Sequence, residues 1–388
     1  MIKVPMKSFM VLNRGLLALV LSVALSVGVA AQEFPSLAAD ETGVASKSRL
    51  PVIDFWYGDV QRFGMQGNPQ PEIHVLGSIQ HCEEVADAYY QLNGGKRRQF
   101  SLGPDLHRLA RRGDFNLEIE RSSLKVGDNK LRVNLRTPLG QDVTREIVLQ
   151  YVSSNESALP IEIDFSEVQD LQDVTEVVDG KWKLTKEGIR TAEPYYDRTL
   201  AFGDIGLRDF EVTACIVFHR QLPKLDGRNP KGPPYLSHAH TSFNMRWGGF
   251  PDDGYQPRRD WQNIGALVAL RSDLATPSKG SYWWMHFGRS IRGMPANRSV
   301  MLKEQRNEIA EGERYNYRMR VTTESGTASR YSAKVWKDGA SEPDQWQMQA
   351  VDQSEALSSG CVLFVVHHSD VTLCRLKIEG TNIETNSE

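Results

Sequence analysis

Four stretches of this chain place side chains where they could do chemistry, and none of them spells a complete motif. Glu162-Ile-Asp-Phe-Ser-Glu167 sets Glu162 and Asp164 two residues apart, so an extended strand puts both carboxylates on one face. Two carboxyls about 5 Å apart would supply the nucleophile and the acid/base of a retaining glycosidase. The same alternation also reads without chemistry, with Ile161, Ile163 and Phe165 buried and the acids in water. His238-Ala-His240 places two imidazoles on one face, which begins a metal site if a third ligand arrives from elsewhere. No third ligand stands near them in sequence, the pair follows a Gly/Pro-rich stretch, and no metal or cofactor is expected. His367 and His368 are neighbours, so within a strand only one of them faces a given cleft.

The fourth signal is spread over several strands. In 243–247, Asn244 and Arg246 share one face while Phe243, Met245 and Trp247 share the other. In 282–287, Tyr282, Trp284 and His286 lie opposite Trp283, Met285 and Phe287. Arg271 ends another strand, and Arg318 and Arg320 share a face of a fourth. Sugar recognition needs flat apolar surfaces for ring faces and forked donors for hydroxyls or carboxylates. The expected ligand-binding set is therefore Asn244, Arg246, Arg271, Trp284 and His286, with the two arginines donating and Trp284 stacking. The same cleft would serve a polysaccharide lyase or glycoside hydrolase with His286 as base or acid and Arg246 neutralising charge. Its proton partner would have to come from another strand, because Tyr282 lies about 13 Å away along the same one. Asp252, Asp253, Tyr255, Arg258, Arg259 and Trp261 fall in a long loop after 243–247, placed to complete a cleft rim. No nucleophile elbow, phosphate loop or dinucleotide fingerprint occurs.

The elements around these residues read as strands throughout. Segments 314–323 (RYNYRMRVTT), 330–339 (RYSAKVWKDG) and 361–380 alternate apolar with polar residues and end at Gly, Asp or Ser. Between 51 and 152 some seven short strands are separated by turn residues such as Asn93-Gly94-Gly95, Gly113-Asp114 and Gly127-Asp128. Sustained helical periodicity is nearly absent, so the fold class is all-β.

Residues 1–31 have the layout of a secretory signal peptide. Lys3, Lys7 and Arg14 precede the apolar run 16–29, and Val29-Ala30-Ala31 offers a cleavage site. An uncleaved anchor is the other reading of this segment. Its removal takes away three bases and lowers the net charge from −3 to about −6. No later stretch approaches the length of a membrane span. A mildly acidic chain without a concentrated basic patch argues against a nucleic-acid partner. The location expected is periplasmic or extracellular. Four cysteines match no zinc spacing; Cys215 and Cys374 either pair with each other or stand as buried thiols.

The predicted organisation is a leader (1–31), a linker (32–49), an Ig-like β-sandwich (50–152), a Ser/Asn-rich joint (153–158), a large jelly roll (159–381) and a tail (382–388). The first sandwich resembles the Ig-like or cadherin-like modules of bacterial exported proteins in Tyr90-Gln-Leu-Asn-Gly-Gly, Gly113-Asp-Phe-Asn-Leu-Glu-Ile and Gly127-Asp-Asn-Lys-Leu-Arg-Val. The calcium loops of such modules would correspond to Gln80-His-Cys-Glu-Glu and Arg136-Thr-Pro-Leu-Gly-Gln, where Arg136 opposes a cation, so no calcium is assigned there. The second resembles concanavalin A-like lectin/glucanase and laminin G-type domains. The resemblance rests on Tyr195-Tyr-Asp-Arg, Asp209-Phe-Glu-Val, Tyr331-Ser-Ala-Lys-Val-Trp with Gly339, and His367-His-Ser-Asp-Val. It implies a two-sheet jelly roll and leaves the chemistry open. The ExDxxE of Glu162 to Glu167 is the arrangement of that superfamily's endo-glucanases, but here it opens the domain instead of lying on a central strand.

The function expected is an exported carbohydrate-binding protein that recognises a polysaccharide on the jelly roll, with the Ig-like domain as spacer. Two alternatives stand beside it: an enzyme using the same cleft, and a structural or adhesive protein of the cell envelope.

Overall fold

The computed structural model describes residues 49–381, apart from 106, 154–158, 222–237, 259–263, 274–279, 289–297, 325–327 and 354–357. Residues 1–48 and 382–388, which hold the expected leader, most of the linker and the tail, lie outside the described residues, as do Arg259 and Trp261. Among the described residues there are strands and three short 3-10 turns, and no helix is long and apolar enough to cross a membrane.

The first sandwich comprises β1 (Val52–Phe55), β2 (Val60–Phe63), β3 (Glu72–Gln80), β4 (Asp87–Leu92), β5 (Arg98–Gln99), β6 (Asp114–Glu120), β7 (Gly127–Arg136) and β8 (Asp142–Tyr151). They form a three-stranded sheet, β1-β3-β6, and a five-stranded sheet, β2-β8-β7-β4-β5, in which β2 runs parallel to β8. Ile73, Val75, Phe115 and Leu117 from one sheet meet Leu131, Val133, Ile147 and Leu149 from the other.

The larger sandwich follows with β9 (Ile161–Asp164), β10 (Glu176–Asp179), β11 (Trp182–Thr185), β12 (Gly188–Thr191), β13 (Arg198–Phe202), β14 (Phe210–Gln221), β15 (His238–Trp247), β16 (Gly265–Asp273), β17 (Ser281–Gly288), β18 (Arg298–Asn307), β19 (Arg314–Thr323), β20 (Ser329–Lys337), β21 (Met348–Asp352), β22 (Cys361–His367) and β23 (Ser369–Gly380). A seven-stranded sheet, β10-β13-β22-β15-β16-β17-β18, faces an eight-stranded one, β11-β12-β23-β14-β19-β20-β21, with β9 added on β23. The patterning explains the pairing of faces. On β19, Tyr315, Tyr317, Met319 and Val321 turn inward while the residues between them are half-exposed. They meet Phe243, Met245, Trp283, Met285 and Phe364 of the opposite sheet in one apolar core. Cys215 and Cys374 sit together on neighbouring strands as free thiols.

The outer face of the seven-stranded sheet, which points away from its partner, is also buried. β15 is covered on both sides from Ala239 to Trp247, and Trp247, Leu267, Ala269, Trp284, Leu363 and Val365 form a second apolar cluster there. The first sandwich stands beside this face. Arg108 donates to Asp179 (2.6 Å) and pairs with Glu118; Arg198 donates to Asp179 (2.7 Å), and Asn116 donates to the carbonyl of Val178 (3.0 Å). Arg121 pairs with Glu176, and Arg258 with Glu72 (2.7 Å). These charges are satisfied across the joint, so the first sandwich is docked on the second. Desolvated ion pairs break badly when one partner moves away, which holds the two sandwiches in one arrangement.

Candidate functional site

At one end of that outer face three imidazoles converge. His238 and His240 project from the first turn of alternation in β15, and His367 ends β22, which is hydrogen-bonded alongside. His240 and His367 are direct cross-strand partners. Their rings lie 4.7 Å apart and 3° from parallel, His238 stacks on His367 at 4.9 Å, and the two β15 rings are 5.7 Å apart. One ring nitrogen from each residue falls within 4.8 Å of the others. His238 is the first residue of β15 and pairs with Asp273 of β16, so both histidines stand in the sheet.

Each ring is oriented from behind. Nδ1 of His367 donates to Oδ1 of Asp197 at 2.7 Å. Ser242 gives its own proton to the carbonyl of Val365 (3.3 Å), so its oxygen accepts from Nδ1 of His240 (3.0 Å). Both assignments leave Nε2 of His240 and His367 with a lone pair. Burial, with help from the charge on neighbouring Arg271, pushes His238 down to about 3 and His240 well below the usual imidazole range. Burial likewise lowers His368 to about 2. The cluster is therefore uncharged at those positions near neutrality.

Arg271 and Trp284 border the cluster. Arg271 is paired with His240 across β15 and β16, and its guanidinium lies over the indole of Trp284 at 5.0 Å. Its ion pair with Asp273 is 3.7 Å long, and its Nε has no hydrogen-bond partner among the described residues. The indole in turn lies 5.9 and 5.8 Å from His238 and His240. From the other side, Tyr196 packs edge-on against His367 (4.9 Å) and against His107 of the first sandwich (5.2 Å). His368 adopts a left-handed backbone (φ 50°) that turns the chain at the end of β22, and its ring packs on His367 at 4.1 Å.

Of the sequence-predicted set, Arg271 and Trp284 belong to this site, and three members do not. Arg246 is wholly buried and faces the other way. It donates to the carbonyl of Arg208 (2.7 Å), to Ser329 (2.7 Å), to Asp209 (2.8 Å) and to Thr323 (2.8 Å), bracing the two sheets together. A bulge between Met245 and Trp247, with Arg246 in the left-handed region (φ 53°), inverts the alternation. Trp247 thus joins the outer cluster and Arg246 the inter-sheet space. Gly360 makes room for the bulge, since a Cβ there would stand 2.2 Å from the Arg246 backbone. Asn244 does lie on the outer face but is 0 % exposed, its amide filling the space beside Gly265. His286 is 7 % exposed and lies beyond Trp284, where Nδ1 meets Ser299 at 2.9 Å and burial lowers its pKa. Trp284 is 6 % exposed and covered by Arg271, so it supports the guanidinium and offers no open face for stacking.

The remaining signals also find places. Glu162 and Asp164 are exposed on β9, with Asp164 accepting from Ser166 (2.6 Å), while Ile161, Ile163 and Phe165 are buried. The described part of the loop after β15 docks on the first sandwich: Phe250 lies under Arg108 (4.5 Å), and the Arg258 amide donates to Glu118 (3.0 Å). Asp197, Ser242 and Tyr196 are not singled out as site residues by the sequence. His367 was visible as a strand-end histidine, but nothing in sequence announces that β22 pairs with β15.

No protein-family model matches the chain, and no curated protein matches it in sequence. Among solved structures it is similar to the exoplasmic/lumenal domain of VIP36 in its Ca2+-bound form, at 11% identity and TM-score 0.35, covering 58% of this chain and 92% of that one. It is also similar to alginate lyase Aly36B (8% identity, TM-score 0.35, 58% and 98% covered) and to the apo Crh5 transglycosylase (9%, 0.33, 58% and 85%). At these scores the likenesses carry no weight in assigning a function.

Proposed function

We propose that the chain is an exported glycan-binding protein that takes its ligand at the histidine-rich end of the outer face of the seven-stranded sheet. In this reading the first sandwich is an Ig-like domain (50–152) and the second a concanavalin A-like jelly roll (159–381). The observation that carries the proposal is Arg271: a guanidinium held on an indole at 5.0 Å, whose one ion pair among the described residues is the long one to Asp273, beside imidazoles that both donate and accept. Such a group reaches for the carboxylate of a uronic acid or for paired hydroxyls. Arg271→Ala should weaken retention by an acidic polysaccharide in affinity electrophoresis without changing the melting temperature.

Catalysis on the same glycan is a second reading, favoured by the Asp197–His367 contact of 2.7 Å. A carboxylate behind Nδ1 orients Nε2 as a base and stabilises the imidazolium that forms, whereas Nδ1 of His286 meets the hydroxyl of Ser299. Release of reducing ends or of unsaturated products from a glycan panel, abolished in His367→Ala, is the test; turnover unchanged in that variant removes this reading.

A further inference from the structure

We propose that His238, His240 and His367 form a binding site for a divalent first-row transition metal of the zinc class, with at least one coordination position left for a ligand from solution. Among the described residues this is the one group of His, Cys, Asp and Glu side chains that brings three ligand atoms together. The donor set selects the metal. Three imidazoles suit zinc, copper or nickel, whereas calcium and magnesium require oxygen, of which the trio offers none.

The geometry is close to what such an ion needs. Metal–nitrogen bonds of about 2.0–2.1 Å place ligand nitrogens about 3.3 Å apart. The ring nitrogens now lie within 4.8 Å of one another, so the rings close by roughly 1.5 Å at most, tilting from parallel toward a common point. The backing is already in place. Asp197 holds Nδ1 of His367 and Ser242 holds Nδ1 of His240, which presents both Nε2 lone pairs on the same side of the sheet. A carboxylate or hydroxyl behind a ligating histidine is what fixes its tautomer and raises its basicity in metal sites.

The surrounding charge fits a cation carrying an anionic fourth ligand. Asp197 contributes one negative charge to the group, and Arg271, across the strand from His240, would face an anion bound on the metal. The inference does not depend on the glycan reading: a chain that binds zinc and no sugar keeps it. It does exclude His367 as a general base, because the metal would take the Nε2 lone pair.

The experiment uses the full chain, purified without a polyhistidine tag and stripped with chelator, titrated with Zn2+ and with Ca2+ by calorimetry. One equivalent of zinc should bind, with no calcium competing for it, and with at least a hundredfold loss of affinity in His240→Ala and in His367→Ala. Asp197→Asn keeps all three imidazoles and an intact fold, and should weaken zinc by about tenfold to a hundredfold. Cobalt bound in place of zinc should show the intense visible absorption of four-coordinate geometry, lost in the same variants. Absence of stoichiometric zinc binding, or an affinity unchanged in both His367→Ala and Asp197→Asn, would overturn the proposal.

Discussion

The imidazoles of His240 and His367 lie face to face across two hydrogen-bonded strands, 4.7 Å between ring centres and 3° from parallel. The two residues are far apart in the chain and meet because β15 and β22 are antiparallel neighbours in register. Each ring is fixed by a different partner, Ser242 for one and Asp197 for the other. Two buried imidazoles held this way are ready to receive a ligand without rearranging the sheet.

Arg246 is expected to matter for stability and not for binding. Removing it takes a buried guanidinium from the Arg208 carbonyl, Ser329 and Thr323 and leaves Asp209 to Thr323 alone, so Arg246→Ala should cost about 3–5 kcal/mol in urea unfolding. Lysine cannot reproduce the four-way fork and should recover only part of the loss. A variant as stable as the wild type would contradict the inter-sheet role.

The bulge at Arg246 also shows where the sequence ceases to be readable. Strict alternation on β19 places Tyr315, Tyr317, Met319 and Val321 inward, and alternation on β9 places Glu162 and Asp164 outward, both as the residue pattern alone implies. On β15 the same rule assigns Arg246 to the face of Asn244, and a single inserted residue reverses it. A bulge has no strong signature in residue type; here its trace is Gly360 on the chain passing opposite. His238 and His240 were legible as a pair, whereas the third ring depends on which strands neighbour each other, a non-local property that residue spacing does not encode.

Arg108 should couple the two sandwiches. It joins Asp179 and Glu118 at a desolvated joint, and truncation removes a cationic donor from each, leaving Asp179 to Arg198 and Glu118 to the Arg258 amide. In calorimetry Arg108→Ala should lose about 3–5 kcal/mol and separate one unfolding transition into two. A single transition at the wild-type temperature would show that the sandwiches are held by other contacts.

Asp114, buried at the start of β6, gives the stability a pH dependence. Burial pushes its carboxyl up to about 6, although the amide of Arg111 donates to it at 2.7 Å. The folded state therefore holds a proton that the unfolded chain, near 4, has released. Stability from this group is fullest below about pH 4 and is lost as pH rises through about 6, by on the order of 2–3 kcal/mol. Urea midpoints measured across that window should fall with pH in the wild type and change less in Asp114→Asn. Equal slopes for the two proteins would contradict the assignment.

The most direct measurement is the binding of oligogalacturonate, with a neutral β-glucan oligosaccharide alongside, to the wild type and to Arg271→Ala by titration calorimetry. Arg271 is partly exposed on the outer face, and its removal opens no core cavity, so both proteins should melt at the same temperature. The expected result is wild-type binding of the acidic sugar and an affinity at least tenfold weaker in Arg271→Ala. Equal affinity in the two proteins, or no binding of either sugar by the wild type, would contradict glycan recognition at this site.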